Sequence, residues 1–249
     1  MTEFKIKAAG RTAAVSALYD STKAYCREYL TEDAPDFSVA ITPADIEFER
    51  MKSARENELE GLPPHLHSNS YLETTAVQRK ITEKLFAYDV LLFHGSVVAV
   101  DGAAYLFTAK SGTGKSTHTR LWRELLGERA VMVNDDKPFL RMTQEGVFAC
   151  GSPWKGKHRL GADLCVPLKA ICILERGEEN RICPVDAKDA IHMLFQQSSR
   201  PMDRRNMPKY MDLLDKLAEN VAFYRMACNM NEEAAEMAYG VMSGTRKED

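Results

Sequence analysis

The run Ala109-Lys110-Ser111-Gly112-Thr113-Gly114-Lys115-Ser116-Thr117 matches G-x-x-x-x-G-K-[ST] at every fixed position except the first, where alanine stands for glycine. An apolar run precedes it and helical spacing follows it. In that setting a small-residue bend turns its backbone N–H groups toward phosphate oxygens at a helix N-terminus. Lys115 would reach the β- and γ-phosphates, and the Ser116 hydroxyl would ligate the magnesium that bridges them. The plain alternative is a Gly/Ser/Thr turn that happens to precede a lysine-bearing helix.

About twenty residues on, Val131-Met132-Val133 runs into Asn134-Asp135-Asp136. Two adjacent carboxylates at the end of an apolar strand allow two jobs. One holds the metal, and its neighbour accepts the proton of an attacking hydroxyl. The alternative is a polar turn. His94 is a third candidate. Asp101-Gly102 is a dipeptide favoured in two-residue hairpin turns, so Val100 faces Ala103 and counting back places His94 opposite Ala109, at the mouth of the loop. There an imidazole could meet a phosphate, the metal or the acceptor. Farther on, Gly151-Ser152-Pro153-Trp154-Lys155-Gly156-Lys157-His158-Arg159 sets basic residues around a tryptophan that reads as exposed. It is either a solvated loop or one that closes over a triphosphate, with Lys155 and Lys157 as its candidate catalytic groups.

The elements that must position these groups follow from periodicity and punctuation. From Met1 to about Tyr88 the pattern is that of a small α/β lobe: a strand over Phe4–Ala8, a helix over Val15–Leu30, a strand over Phe37–Ile41 and a helix over Pro43–Arg55. A loop follows at the Pro63-Pro64 pair, and then a helix capped by Ser70 that runs to about Phe86. From residue 89 the texture is more apolar. Strands are expected at Ser96–Val100, Ala103–Phe107, Ala130–Val133, Phe139–Met142, Val147–Cys150, Leu168–Leu174 and Val221–Cys228. Helices are expected at Lys115–Leu126, from an Asp186 cap to Gln197, at Pro208–Glu219, and from an Asn231 cap to Gly244. The predicted organisation is residues 1–88 as an amino-terminal lobe and 89–249 as the catalytic domain.

Bulk composition narrows the class. Of 249 residues 45% are hydrophobic and 28% charged, with a net charge of -3, which is an ordinary globular balance and names no nucleic-acid partner. The most apolar stretch, Leu91 to Phe107, is broken by His94, Ser96 and Asp101, too soon for a membrane span, and MTEFKIK has no apolar export segment. A cytoplasmic location without membrane partners is the expectation. The six cysteines form no Cys-x-x-Cys pair, so reduced thiols are expected, with neither disulfide nor structural zinc.

Taken together, His94-Gly95 before the hairpin, Ser111-Gly112-Thr113-Gly114-Lys115-Ser116 in the loop and Asp135-Asp136 after the next strand resemble the HPr kinase/phosphorylase group. That group shares its nucleotide-binding core with ATP-dependent phosphoenolpyruvate carboxykinases, and the resemblance covers roughly Leu91 to Leu174. It implies an α/β (mixed α+β) fold: a phosphoenolpyruvate carboxykinase-like core of mixed, largely antiparallel sheets. It also implies that His94, Asp135 and Asp136 surround metal and acceptor, with Asp135 as base, Asp136 as metal ligand, and both aspartates close to the metal with Ser116. The chain departs from true HPr kinases in lacking a Glu-Val-Arg-Gly stretch after the aspartates, where Ser152-Pro153-Trp154-Lys155-Gly156-Lys157 stands instead. It also lacks the arginines and length of a carboxykinase. The better match is the group of small HPr-kinase-like proteins of unassigned substrate. The implied activity is an ATP- and Mg2+-dependent kinase acting on a serine-type hydroxyl of a protein, peptide or metabolite. A non-catalytic ATP-binding regulatory module and a simple NTP hydrolase are the alternatives, and homo-oligomer formation is left open.

Overall fold

Two strands, not one, open the chain. In the computed structural model, which describes residues 1–59, 61–63, 65–110 and 112–245, β1 (Thr2–Ala8) pairs antiparallel with β2 (Arg11–Ala17). They turn through Ala9 and Gly10, both at positive φ (50° and 75°). The expected helix over Val15–Leu30 is therefore wrong in its first part. Alanine in the left-handed position hides the turn, and an alanine-rich strand lacks the β-branched signature of its kind. The helical part is short: α1 (Asp20–Tyr25) and a 3-10 turn at Arg27–Tyr29. β3 (Phe37–Ala40) lies parallel to β2, giving the order β1-β2-β3, and α2 (Pro43–Leu59) and α3 (Asn69–Leu85) complete this unit, Met1–Tyr88. The α3 cap is Ser68, whose hydroxyl accepts from the Tyr71 amide at 3.2 Å, and not Ser70; the Ser-Asn-Ser run offers two caps and the helix takes the earlier. Pro64, half of the expected proline loop, lies outside the described residues.

Glu73, fully buried on α3, accepts from the backbone N–H of Leu18 at 2.5 Å and of Tyr19 at 3.1 Å, and from the Thr22 hydroxyl. A carboxylate from a distant helix thereby satisfies the start of α1, which has no side-chain cap of its own.

The second unit, Asp89–Asp249, is built on β4 (Val90–Leu92), β5 (Ser96–Val100), β6 (Ala103–Thr108), α4 (Lys115–Leu126), β7 (Ala130–Asn134), β8 (Phe139–Thr143), β9 (Gly146–Cys150), β10 (Cys165–Arg176), β11 (Arg181–Pro184), α5 (Ala187–Gln197), α6 (Met207–Asn220), β12 (Ala222–Cys228) and α7 (Glu232–Ser243). The strand order is β4-β8-β9-β10-β6-β5-β7, with β12 also on β10 and β11 on β12. Only β10 with β6 and β10 with β12 are parallel; the other pairs are antiparallel. This is the mixed, largely antiparallel α/β architecture that the family resemblance implies, and the hairpin at Asp101-Gly102 agrees with it. β10 is longer than expected because it serves twice. Its first residues pair with β9 and Ala170–Arg176 pair with β12, while on its other edge the pairing with β6 shifts register between Leu168 and Ala170. β11, an edge strand in a charged stretch ending in proline, carries no apolar run and escapes periodicity altogether.

The expectation of reduced thiols alone is overturned at one place. Cys150 and Cys165 form a disulfide, because antiparallel β9 and β10 set them directly opposite, with Cα atoms 4.0 Å apart. Register across two strands creates that proximity, and no short spacing motif announces it. Cys26, Cys172, Cys183 and Cys228 keep their thiols.

The core of this unit gathers around Trp122 of α4, which is fully buried with its ring centroid 5.0 Å from Tyr105, 5.1 Å from Phe107 and 5.4 Å from Tyr239. Its indole N–H donates to Nε2 of His118 at 3.2 Å, while Nδ1 of that ring has no partner among the described residues. Burial lowers the His118 pKa from 6.5 to about 4. The unfolded chain takes up this proton near pH 6.5 and the folded chain only near 4. Stability from this residue is therefore whole above that window and falls by roughly 3 kcal/mol as pH drops through it. Urea titrations at pH 7.5 and 4.5 are expected to show that loss for the wild type and a shallower one for His118→Gln. Equal slopes would remove His118 from the account.

No helix among the described residues is long and apolar enough to cross a membrane.

Candidate functional site

The bend between β6 and α4 is held open by backbone conformation. Gly112 and Gly114 sit at φ 75° and 118°, where a side chain would be strained, and Lys115 begins the helix immediately afterwards. The Lys115 ammonium is buried, and its one hydrogen bond among the described residues goes to the Ala109 carbonyl at 3.1 Å. Burial pushes its pKa down; the charges of Asp136 and Asp135 pull it up and Lys137 lowers it, with a net shift downward. A buried cation with two N–H donors to spare fits a polyphosphate. Ser116 and Lys110 are exposed, Thr113 and Thr117 half-buried, and Ser111 lies outside the described residues. Sequence reasoning missed Arg176 at the end of β10, whose guanidinium donates to the Gly112 carbonyl at 2.6 Å and ties down the loop from the neighbouring strand.

The acids are placed by Asn134, which is fully buried. Its Oδ1 accepts from the amides of Asp136 (2.9 Å) and Lys137 (2.7 Å), folding the chain into a tight turn, and its Nδ2 donates to the carbonyl and hydroxyl oxygens of Ser152, both at 3.1 Å. The two aspartates then diverge. Asp135 is 4% exposed and accepts from the Ser96 hydroxyl at 2.8 Å; that oxygen lies 3.0 Å from the Thr119 hydroxyl on α4. Asp136 keeps 36% of its side chain exposed, and its Oδ1 is 3.3 Å from Nε2 of His94. Burial alone would raise the Asp136 pKa. The hydrogen bond from His94 and the charges of Lys137, His94 and Lys115 outweigh it and hold this carboxyl below the usual range.

β5 and β6 pair from Val100 with Ala103 to Ser96 with Phe107, the register counted from the sequence. His94 follows that line: its carbonyl accepts from the Thr108 hydroxyl at 3.0 Å, and its amide donates to Gln197 at the end of α5 at 2.7 Å. His94, Lys115, Asp135 and Asp136 are thus brought together.

The segment after β9 is a strap over the acid turn rather than a free loop. Trp154, expected to be exposed, is buried with its ring edge-on to Phe139, centroids 6.2 Å apart. The Ser152 hydroxyl donates to the Lys137 carbonyl at 2.6 Å. Gly156 lies so close to the aspartates that a Cβ there would come within 3.3 Å of the Asp136 Cβ. Lys155 is buried with its ammonium on the Gly161 carbonyl at 2.9 Å, whereas Lys157, His158 and Arg159 are exposed. The basic residues are therefore split between strap interior and solvent, and do not form one cationic lid.

Comparison with solved structures finds, among others, the Hpr(Ser) kinase/phosphatase from Coxiella burnetii, 8% identical, covering 62% of this chain and 95% of that chain with a TM-score of 0.37. No curated protein matches. Residues 67–237, which take in the phosphate loop, the acid turn and the strap, match the family described as SynChlorMet cassette protein ScmC. With most of its length inside that match, the chain belongs to the ScmC family.

Proposed function

We propose that the unit Asp89–Asp249 is an ATP-dependent phosphotransferase that delivers the terminal phosphate to a hydroxyl of a protein, peptide or small metabolite. The observation that carries this reading is the division of labour between the acids: one buried carboxylate tied toward α4, and one accessible carboxylate paired with His94 and within the field of Lys115. Bound ATP with Mg2+ would supply the reactive phosphorus and part of the charge neutralisation. Lys115 and the loop amides hold the phosphates. Ser116 and Asp135 are suited to the metal, both being oxygen donors on elements joined through Ser96 and Thr119. Asp136, not Asp135, is the better base. It is ionised at neutral pH and open to an incoming hydroxyl, while Asp135 has one oxygen committed to Ser96 and almost no exposed surface. His94 orients the Asp136 carboxylate. Lys155, spent on Gly161, braces the strap rather than touching phosphate, and Lys157 is free to meet an acceptor.

The test is incubation with γ-labelled ATP, Mg2+ and either a cell lysate or a panel of hydroxyl metabolites. Label is expected on an acceptor, falling roughly 10²–10³-fold in Lys115→Met. Nucleotide binding with no labelled acceptor points instead to a regulatory module, and steady phosphate release to water to a hydrolase.

A further inference from the structure

Beside the phosphate loop lies a cleft of about 410 Å³, with Gln197, whose carbonyl accepts from the His94 amide, in its lining. One wall is Ala109, Lys110 and Thr113 of the loop, the floor is the end of β10 from Ile173 to Arg176, and the far wall is α5 with Asp189, His192, Met193 and Gln196. Its lining includes none of His94, Lys115, Asp135 and Asp136. We propose that this cleft takes the nucleoside end, base and ribose, of a nucleoside triphosphate whose phosphates lie on the loop; the proposal rests on the phosphate-loop reading above.

An acceptor must touch the base that deprotonates it, and a cavity that Asp136 does not line is wrongly placed for that. A nucleoside must instead continue from the phosphates on the side away from the transferred group. Strand order provides that side: β5 flanks β6 on one edge, with β7, which leads into the acids, beyond it, and β10 flanks β6 on the other. The crevice beyond the carboxyl ends of parallel strands, here β6 and β10, is the usual ligand position in such sheets. Chemistry agrees with place. Ile173 and Met193 offer apolar contact to the faces of a base. Gln196, within 2.8 Å of the His192 ring, offers amide donors and acceptors to its edge, and the Asp189 carboxylate can accept from ribose hydroxyls, while Glu175 is held by Arg225. Arg176 joins the two regions through its bond to Gly112. The volume lies near the small end of the range for ligand pockets, enough for a nucleoside and little more.

The experiment is calorimetry of the whole chain with Mg2+ and either ATP or inorganic tripolyphosphate, which has the phosphates without the nucleoside. ATP is expected to bind roughly 10- to 100-fold more tightly. Met193→Trp, which fills the cleft, is expected to erase that preference and leave tripolyphosphate affinity unchanged, a result that also certifies folding. Should Met193→Trp not fold, Asp189→Ala with His192→Ala decides, with the preference expected to shrink severalfold. Equal affinity of the wild type for the two ligands, or a preference that survives cleft mutation, overturns the cleft proposal and leaves the loop reading standing. Binding of neither ligand overturns both.

Discussion

Asp136→Asn is expected to lower phosphate transfer by roughly 10²–10⁴-fold while leaving the affinity for ATP with Mg2+ within a fewfold of the wild type. Asparagine keeps the size of the side chain and an oxygen for His94, but it cannot take a proton from an attacking hydroxyl. The turn itself is made by the Asn134 side chain and backbone amides, so the substitution does not unbuild it. Asp135→Asn should behave differently. Its carboxylate is the deeper acid, held by Ser96 beneath α4, and its loss should appear as a raised Mg2+ requirement. Transfer rates measured across a Mg2+ titration separate the two. If Asp135→Asn is rate-defective at saturating Mg2+ and Asp136→Asn is not, the roles assigned to the pair are reversed.

The largest stability effect is expected at Trp122→Ala, a loss of roughly 3–5 kcal/mol. The ring is fully buried among Tyr105, Phe107 and Tyr239, and its N–H is the partner of the His118 ring. Truncation opens a cavity behind the phosphate loop and leaves His118 without its donor. Trp122→Phe keeps most of the aromatic packing and gives up the N–H···N bond, so about 1 kcal/mol is expected from that change. Urea midpoints of the three proteins check the order; a Phe variant as unstable as the Ala variant would shift the weight from packing to the hydrogen bond.

What the sequence makes legible here is whatever is local. The Asp101-Gly102 turn fixes a register that carries through to Ser96 opposite Phe107, and Lys115–Leu126 is bounded as helix by the glycines on either side. The neighbourhood of the acids was foreseeable because Asn134-Asp135-Asp136 ends a short apolar strand. Contacts between distant segments were not. Glu73 serving the start of α1, Cys150 meeting Cys165 and Arg176 holding Gly112 each depend on elements whose mutual placement no spacing encodes. Trp154 read as exposed because basic and glycine neighbours surround it, yet the Asn134–Ser152 hydrogen bonds draw that stretch inward. Even the order of roles proposed for the aspartates rests on which one Ser96 reaches, a question of depth that two identical letters cannot answer.

The double service of β10 bears on how the chain is made. Its partners come from both directions along the polypeptide, β6 well before it and β12 after two intervening helices. During synthesis the strand beside the phosphate loop therefore has one flank open until Ala222–Cys228 has left the ribosome, a late closure of the kind that slows folding and leaves an edge prone to wrong pairing. Nascent chains halted before that point should be the ones that chaperones hold longest.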